Sequence, residues 1–239
     1  MSQQIVTISF FKYQSWKAQC WAFGMMQFAH ASLGTTPGLT FYKLMGSGKN
    51  AGFNPLPDWT TYALLQVWED EAAANTFFST STLVERYDQQ CEERWTIYMR
   101  TIMARGVWSR QQPFARSPHL DDNLPLLGII TRATIKWRQL YNFWRYVPTS
   151  HQQLLTNPGL IYTKGIGEVP AIQMATFSLW TDAAALKKFA YEQKEHRVAI
   201  EKTRELDWYK EELFARFQPY RSEGTWQGRR PLATYLSLV

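Results

Sequence analysis

Cysteine and histidine are scarce in this chain of 239 residues, with two of the first, Cys20 and Cys91, and four of the second. Two cysteines are too few for a disulfide framework, and neither residue type clusters at the spacings that hold zinc. The usual catalytic signatures are also missing. There is no GxSxG elbow, no HExxH and no GxGxxG after a strand, and Gly46-Ser47-Gly48-Lys49 lacks the earlier glycine of a phosphate loop and reads as a turn. Charges interrupt every apolar stretch before it reaches the roughly 20 residues of a membrane-spanning helix. The N-terminal region shows no basic flank, apolar run and cleavage site, so a cytoplasmic location is expected.

Aromatic residues are plentiful. Eleven Trp, twelve Tyr and fourteen Phe make up 15% of the chain, and hydrophobic residues 45%. Such a chain is globular, and its rings either thicken a core or line an apolar pocket. The formal charge of +6 is spread out, with its densest groups at Lys187-Lys188 and Arg229-Arg230. A diffuse excess of this size reads as a solvated surface and is compatible with weak attraction to anionic lipid headgroups at the inner face of a membrane.

The most informative feature is an internal repeat. At a constant offset of 121 residues, Ile8/Ile129, Trp16/Trp137, His30/His151, Leu33/Leu154, Thr35/Thr156, Pro37/Pro158, Gly38/Gly159, Lys43/Lys164 and Gly46/Gly167 recur. After an insertion in the first copy around Lys49–Trp59, Ala63/Ala175, Trp68/Trp180, Asp70/Asp182, Ala72/Ala184 and Phe77/Phe189 continue the match. A further small shift pairs Glu92/Glu205 and Trp95/Trp208.

Each copy has the same predicted order of elements. A β-rich run (Ile5–Phe11; Leu127–Thr134) leads into a long helix-compatible segment (Ser15–Leu33; Lys136–Leu155), and a Pro-Gly turn introduces a second β run (Thr40–Met45; Leu160–Ile166). A third run (Thr61–Trp68; Ile172–Trp180) stops at an aspartate that can cap an Ala-rich helix (Ala72–Phe78; Ala183–Ala190). Final strands near Tyr98–Arg105 and Glu212–Pro219 complete βαββαβ, a ferredoxin-like unit. Such a unit leaves one sheet face apolar and uncovered, and the sheet of a second copy is the simplest cover. The fold class expected is therefore α+β, a tandem duplication of a ferredoxin-like unit forming an intramolecular dimeric α+β barrel. The first copy is assigned to residues 1–112, a connector to 113–126 and the second copy to 127–239. RNA-recognition modules share this plan, but their third-strand signature is absent from Tyr62–Trp68 and Met174–Trp180, so no nucleic-acid partner is expected.

With so few catalytic side chains, an enzyme on this scaffold would draw its reactivity from a cofactor, and haem suits an aromatic-rich fold. Haem iron needs an axial ligand on a rigid element. His30 and His151 sit at equivalent places in both copies and read as scaffold, while His119 lies in the connector and reads as a solvated loop residue. His196 is unique to the second copy. Seven-residue spacing puts Phe189, His196 and Thr203 on one apolar helical stripe, with Ile200 beside them. A lone histidine there is more often a hydrogen-bonded core residue than a ligand, and Cys91 is a rival ligand as a thiolate. Arg132 interrupts the β run Gly128–Thr134. It either faces the barrel interior with an anionic partner or points from an edge strand into water.

Several distinctive motifs run in order along most of the chain. They include Trp21-Ala22-Phe23-Gly24-Met25-Met26, Phe41-Tyr42-Lys43-Leu44-Met45-Gly46-Ser47-Gly48, Gly52-Phe53-Asn54-Pro55 and Ala104-Arg105-Gly106-Val107-Trp108-Ser109. In the second half, Thr131-Arg132-Ala133-Thr134-Ile135, Phe143-Trp144, Trp208-Tyr209-Lys210-Glu211-Glu212 and Gly224-Thr225-Trp226 continue the series. Together they resemble the motifs of the spheroidene monooxygenases, a bacterial family of haem-dependent carotenoid oxygenases.

The resemblance implies a haem b enzyme that hydroxylates an acyclic carotenoid twice at one terminal carbon, giving a ketone after loss of water. It implies dioxygen and a ferredoxin-like electron donor as inputs. The chain is also remotely similar to chlorite dismutases and aldoxime dehydratases, haem proteins on duplicated ferredoxin-like units. That analogy implies His196 as the proximal iron ligand, with Phe189 and Ile200 beside the haem. Arg132 would be the polar residue on the opposite side. Phe143, Trp144, Phe177, Trp180 and Trp208 are candidate walls of an apolar substrate cleft, each equally well explained as core. Dehydratase or peroxidase chemistry on the same barrel, and a non-catalytic haem or pigment carrier, are the alternatives.

Overall fold

Strands form where β-branched and aromatic residues alternate between two faces, and helices where alanine-rich stretches follow a capping side chain. The computed structural model describes residues 3–50, 56–140, 157–192 and 208–236. In the first copy, β1 (Ile5–Lys12), α1 (Trp16–Leu33), β2 (Leu39–Gly48), β3 (Pro57–Trp68), α2 (Glu71–Thr80), α3 (Thr82–Gln90) and β4 (Glu93–Gly106) follow one another. In the second come β5 (Leu127–Ile135), a 3-10 turn (Trp137–Gln139), β6 (Leu160–Val169), β7 (Gln173–Trp180), α4 (Ala183–Glu192), β8 (Tyr209–Gly224) and a single turn, α5 (Ala233–Leu236). The two aspartates expected as caps act as such: Asp70 accepts from the Ala73 N–H and Asp182 from the Ala185 N–H. Helix α3 was not expected; Ser81 caps it, and it buries Leu83, Val84 and Tyr87.

All strand pairings are antiparallel, and the eight strands close in the order β1-β3-β2-β6-β7-β5-β8-β4. Each copy thus contributes a four-stranded sheet of ferredoxin-like order, and the two sheets join edge to edge, as the duplicated-barrel reading requires. The two seams are unequal. Pairing of β4 with β8 runs from Trp95↔Gly224 to Gly106↔Leu213, whereas β2 meets β6 only at Gly46↔Gly167 and Ser47↔Ile166.

The barrel interior is a fully buried core that includes Ile8, Phe10, Leu65, Ile130, Phe177 and Phe217. Each such side chain contributes roughly 1.5–3 kcal/mol through burial. A second core lies outside the first sheet, where α1, α2 and α3 cover Phe11, Leu64 and Trp68. Among the described residues, no helix is long and apolar enough to cross a membrane.

The pairings refine the repeat. Phe10 pairs with Ala63 and Trp95, while Arg132 pairs with Ala175 and Leu213. Since Ala63 and Ala175 are repeat partners, Phe10 is the counterpart of Arg132, one residue away from the sequence match with Phe11. By the same logic Leu213 answers Trp95, and Trp208 does not. The register slips because the chain between Trp180 and the last strand is longer than that between Trp68 and β4.

Once this shift is made, a match invisible to ungapped comparison emerges. Gly106 and Gly224 both leave the last strand at positive φ (89° and 83°), where a Cβ would collide with the backbone of Glu212 and Arg94 respectively. Each is followed by a tryptophan, Trp108 or Trp226, that closes a tight turn by bridging to Gln111 or Arg229. A carboxylate at the start of the neighbouring last strand holds each turn. Glu211 accepts the N–H groups of Ser109 and Arg110, and Glu93 those of Gln227 and Gly228.

Candidate functional site

Side chains alternate across a strand, so with Ile130 and Arg132 facing the barrel interior, Ile129, Thr131 and Ala133 face outward. Three rows cross the outer face of the second sheet. They are Ile129–Ser178–Thr163, Thr131–Thr176–Gly165 and Ala133–Met174–Gly167, taken over β5, β7 and β6. The same rows in the first copy are Thr7–Gln66–Tyr42, Ser9–Leu64–Leu44 and Phe11–Tyr62–Gly46. Phe11, Tyr42, Leu44 and Leu64 are therefore replaced by Ala133, Thr163, Gly165 and Thr176. Protein interiors are close-packed, so this loss of side chain makes the second copy's outer face a hollow relative to the packed face of the first. Thr131, in the centre, is exposed, whereas its counterpart Ser9 is fully buried and bonded to Thr96 at 2.8 Å.

Two of the expected site residues border this hollow along one side. Phe189 of α4 packs on Trp180 with ring centroids 5.3 Å apart, over Leu127 and Ile129. On the other side, Trp208 is buried with Ile135 and Met174. Phe177 is a correction: it lies inside the barrel, on the opposite face of the sheet, against Phe10 at 5.6 Å. Residues His196, Ile200, Phe143 and Trp144 lie outside the described residues.

Arg132 also faces inward, so the structure does not bring it together with Phe189. Of the two orientations left open by the sequence, the buried one is found, with a side chain only 2% exposed. Its guanidinium pairs with Glu211, lies 3.7 Å from Glu168 and sits over the Trp108 ring. Glu168 in turn accepts from Trp108 Nε1 and from Lys43 Nζ, both at 2.6 Å. Burial disfavours the Glu211 carboxylate, but the backbone N–H groups of Arg110 and Ser109 and the Arg132 charge prevail, holding its pKa below the ordinary value. A buried guanidinium paired with Glu211 and close to Glu168, its Nε left without a hydrogen-bond partner, reads as the polar closure of one barrel end.

Of the rival iron ligands, Cys91 caps the end of α3, and burial pushes its thiol up to about 11. At neutral pH it is a thiol, which suits packing better than ligation. His30 is exposed on α1, its Nδ1 2.9 Å from the Tyr42 hydroxyl, and His119 lies exposed in the connector. Among the described residues, no three His, Cys, Asp or Glu side chains gather as a metal site.

Three relatives match most of the chain. The spheroidene monooxygenase of Cereibacter sphaeroides is 33% identical over 98% of this chain and 72% of its own length. That of Rhodobacter capsulatus is 32% identical over 96% of each. That of Rubrivivax gelatinosus is 34% identical over 89% of this chain and 81% of its own. The chain belongs to the spheroidene monooxygenase family. No family model matches it. Among solved structures, an aldoxime dehydratase superposes with a TM-score of 0.62 at 13% identity, covering 91% of this chain and 82% of its own. Another, crystallised with butyraldoxime, gives 0.64 at 12% identity, covering 98% and 86%. At that identity they speak for the fold alone.

Reading the sequence for reactive side chains passed over Thr131, Thr163, Gly165 and Thr176, which carry no reactive group. The signal that finds them is a size comparison between the copies of this spheroidene monooxygenase relative. It needs the correct strand register, which the sequence supplies for β2 and β3 but not for β1.

Proposed function

We propose that this chain is a haem-dependent monooxygenase that hydroxylates an acyclic carotenoid twice at one terminal carbon, leaving a ketone after loss of water. Each hydroxylation consumes one dioxygen, two electrons and two protons; one oxygen enters the C–H bond and the other leaves as water. A ferredoxin-like carrier would supply the electrons. The observation that carries the reaction class is about one-third identity to spheroidene monooxygenases along nearly the whole chain.

The second copy's outer face would suit a haem. A flat macrocycle needs a slot between sheet and helix with a floor free of bulky side chains, and Thr131, Thr163, Gly165 and Thr176 provide such a floor. The slot would have Trp180 and Phe189 along one border and Trp208 along the other. His196, in the sequence shortly after α4, is the residue proposed to hold the haem iron, with Ile200 close to it in sequence. The bound haem would activate dioxygen. The chain's own contribution is to hold the cofactor, keep water away with aromatic borders and offer the Thr131 and Thr176 hydroxyls as hydrogen-bonding groups at the floor. Arg132 is assigned to holding the barrel end. Phe143 and Trp144 remain proposed walls for the hydrocarbon, and a peripheral contact with the inner membrane face would give access to so apolar a substrate.

The test is the absorption spectrum of protein produced with haem precursor, beside His196→Ala, oxidised, reduced and with carbon monoxide. A Soret band that the substitution removes or shifts, carbon monoxide binding in the reduced form, and ketone formation from carotenoid, dioxygen and reduced ferredoxin are the expected results. Colourless wild-type protein despite haem supply would overturn the reading.

A further inference from the structure

The short seam between β2 and β6 bears a cavity of about 200 Å³ on its outer side. Its floor is glycine-rich, with Gly46, Gly48, Gly165 and Gly167 from the two joined strands. Phe23 and Met26 of α1 wall it on one side, and Met174 of β7 on the other. Its mouth is rimmed by side chains that are unusually exposed for their type: Phe23 (59%), Leu56 (55%), Trp59 (48%) and Val169 (39%). Phe23 and Trp59 meet edge to face at 5.4 Å. Two carboxylates border the cavity, and a lysine neutralises each: Asp58 with Lys164 at 2.8 Å, and Glu168 with Lys43 at 2.6 Å.

Gly165, Gly167 and Met174 line this cavity and also belong to the outer rows of the second sheet. The cavity's lining thus runs into the outer rows, from an exposed aromatic rim, across a glycine-rich floor, towards Thr131 and Thr176. A glycine-rich floor between mostly apolar walls, with its bordering charges already paired, suits a long neutral hydrocarbon, and the buried Tyr62 hydroxyl, without a hydrogen-bond partner, is a polar group left in the lining.

We propose that this seam groove holds the polyene chain of the substrate, with the reacting terminus over the hollow and the remainder leaving past Phe23 and Trp59. The assignment rests on the proposed carotenoid oxygenase reading and adds where the chain of the substrate lies. Gly46 is the deciding position. A Cβ built there meets nothing within 4 Å, and its backbone is outside the left-handed region, so a side chain can start into the groove without a clash.

The experiment compares wild type, Gly46→Ala and Gly46→Phe in the haem-loaded protein. Carotenoid binding is read as quenching of tryptophan emission, and turnover of the full-length carotenoid is set beside that of a short analogue carrying the same end group. Gly46→Phe is expected to keep its melting temperature and Soret band, to raise KM and the dissociation constant for the full-length carotenoid at least tenfold, and to spare the short analogue. Gly46→Ala should have a smaller effect of the same kind. Unchanged carotenoid binding in Gly46→Phe would overturn the groove assignment. Should wild type bind the polyene without oxidising it, the oxygenase reading fails while the quenching comparison still decides the groove.

Discussion

The first copy of the unit packs its outer sheet face with Phe11, Tyr42, Leu44 and Leu64 beneath three helices. The second keeps the same strands in the same register and puts Ala133, Thr163, Gly165 and Thr176 there. Inside the barrel the contrast runs the other way. The second copy places the charged Arg132 where the first has Phe10, and the two barrel ends differ accordingly. One is closed by Phe10, Trp95, Tyr162 and Trp226 in mutual ring contact, the other by Arg132, Glu168 and Glu211 around Trp108. A duplicated backbone has been kept, and the two halves diverge through side-chain volume and charge. The half that gives up packing on its outer face gains room for a ligand there.

The contrast can be broken most directly by giving the second face the side chains of the first. Thr176→Leu combined with Ala133→Phe is expected to leave circular dichroism unchanged and reduce haem per protein more than tenfold, read as Soret absorbance against protein absorbance. Full retention of haem would mean that the hollow is not the cofactor site. Next in size is Arg132→Ala, which strands Glu211 and Glu168 without their guanidinium and should cost about 3–5 kcal/mol in urea unfolding. Phe10→Ala at the opposite end should cost about as much, through a cavity instead of an unpaired charge. Leu64→Thr, which imposes the second copy's residue on the first, should cost about 2–4 kcal/mol because α1 cannot follow into the space.

The smallest effect expected concerns the turn-holding carboxylates. Burial opposes the charge on Glu93, but the N–H groups of Gly228 and Gln227 together with Lys12 outweigh it and keep its pKa below the ordinary value; Glu211 is held low in the same manner. A carboxyl depressed in the folded state contributes stability in full above its unfolded pKa, about 4.3, and loses it as pH falls through the folded pKa. Glu93→Gln should therefore cost about 1 kcal/mol at pH 7 and flatten the stability profile below pH 4. An unchanged acid limb would remove Glu93 from this role.

The barrel was legible because its determinants are local and doubled. Pro37-Gly38 and Pro158-Gly159, the capping pair Asp70 and Asp182, and the apolar runs between them repeat in a register that a linear comparison detects. Elements without a twin in the comparison were harder to read. Helix α3 is short and polar overall, and stands on only three buried residues. The Glu93/Glu211 and Trp108/Trp226 pairs were hidden by unequal chain lengths before the last strand. Of the candidate site, Trp180, Phe189 and Trp208 were recognisable as large rings, but whether a ring faces the hollow or the barrel core depends on strand parity. Phe177, one such ring, lies on the core side. The floor itself is made of residues notable for their smallness, and smallness has meaning only beside the larger residue that occupies the same place in the other copy.

The long β4–β8 seam ties Trp95 to Gly224 and Gly106 to Leu213, partners more than a hundred residues apart. During synthesis the first copy is therefore complete well before the strand that closes the barrel has left the ribosome. Until then the face carrying Ile8, Phe10 and Leu65 has no opposite sheet, and contacts of such long range form slowly. The nascent chain thus passes through a half-barrel with an open apolar side. Fusing the two copies in one polypeptide shortens that exposure, because the missing sheet arrives tethered instead of by diffusion.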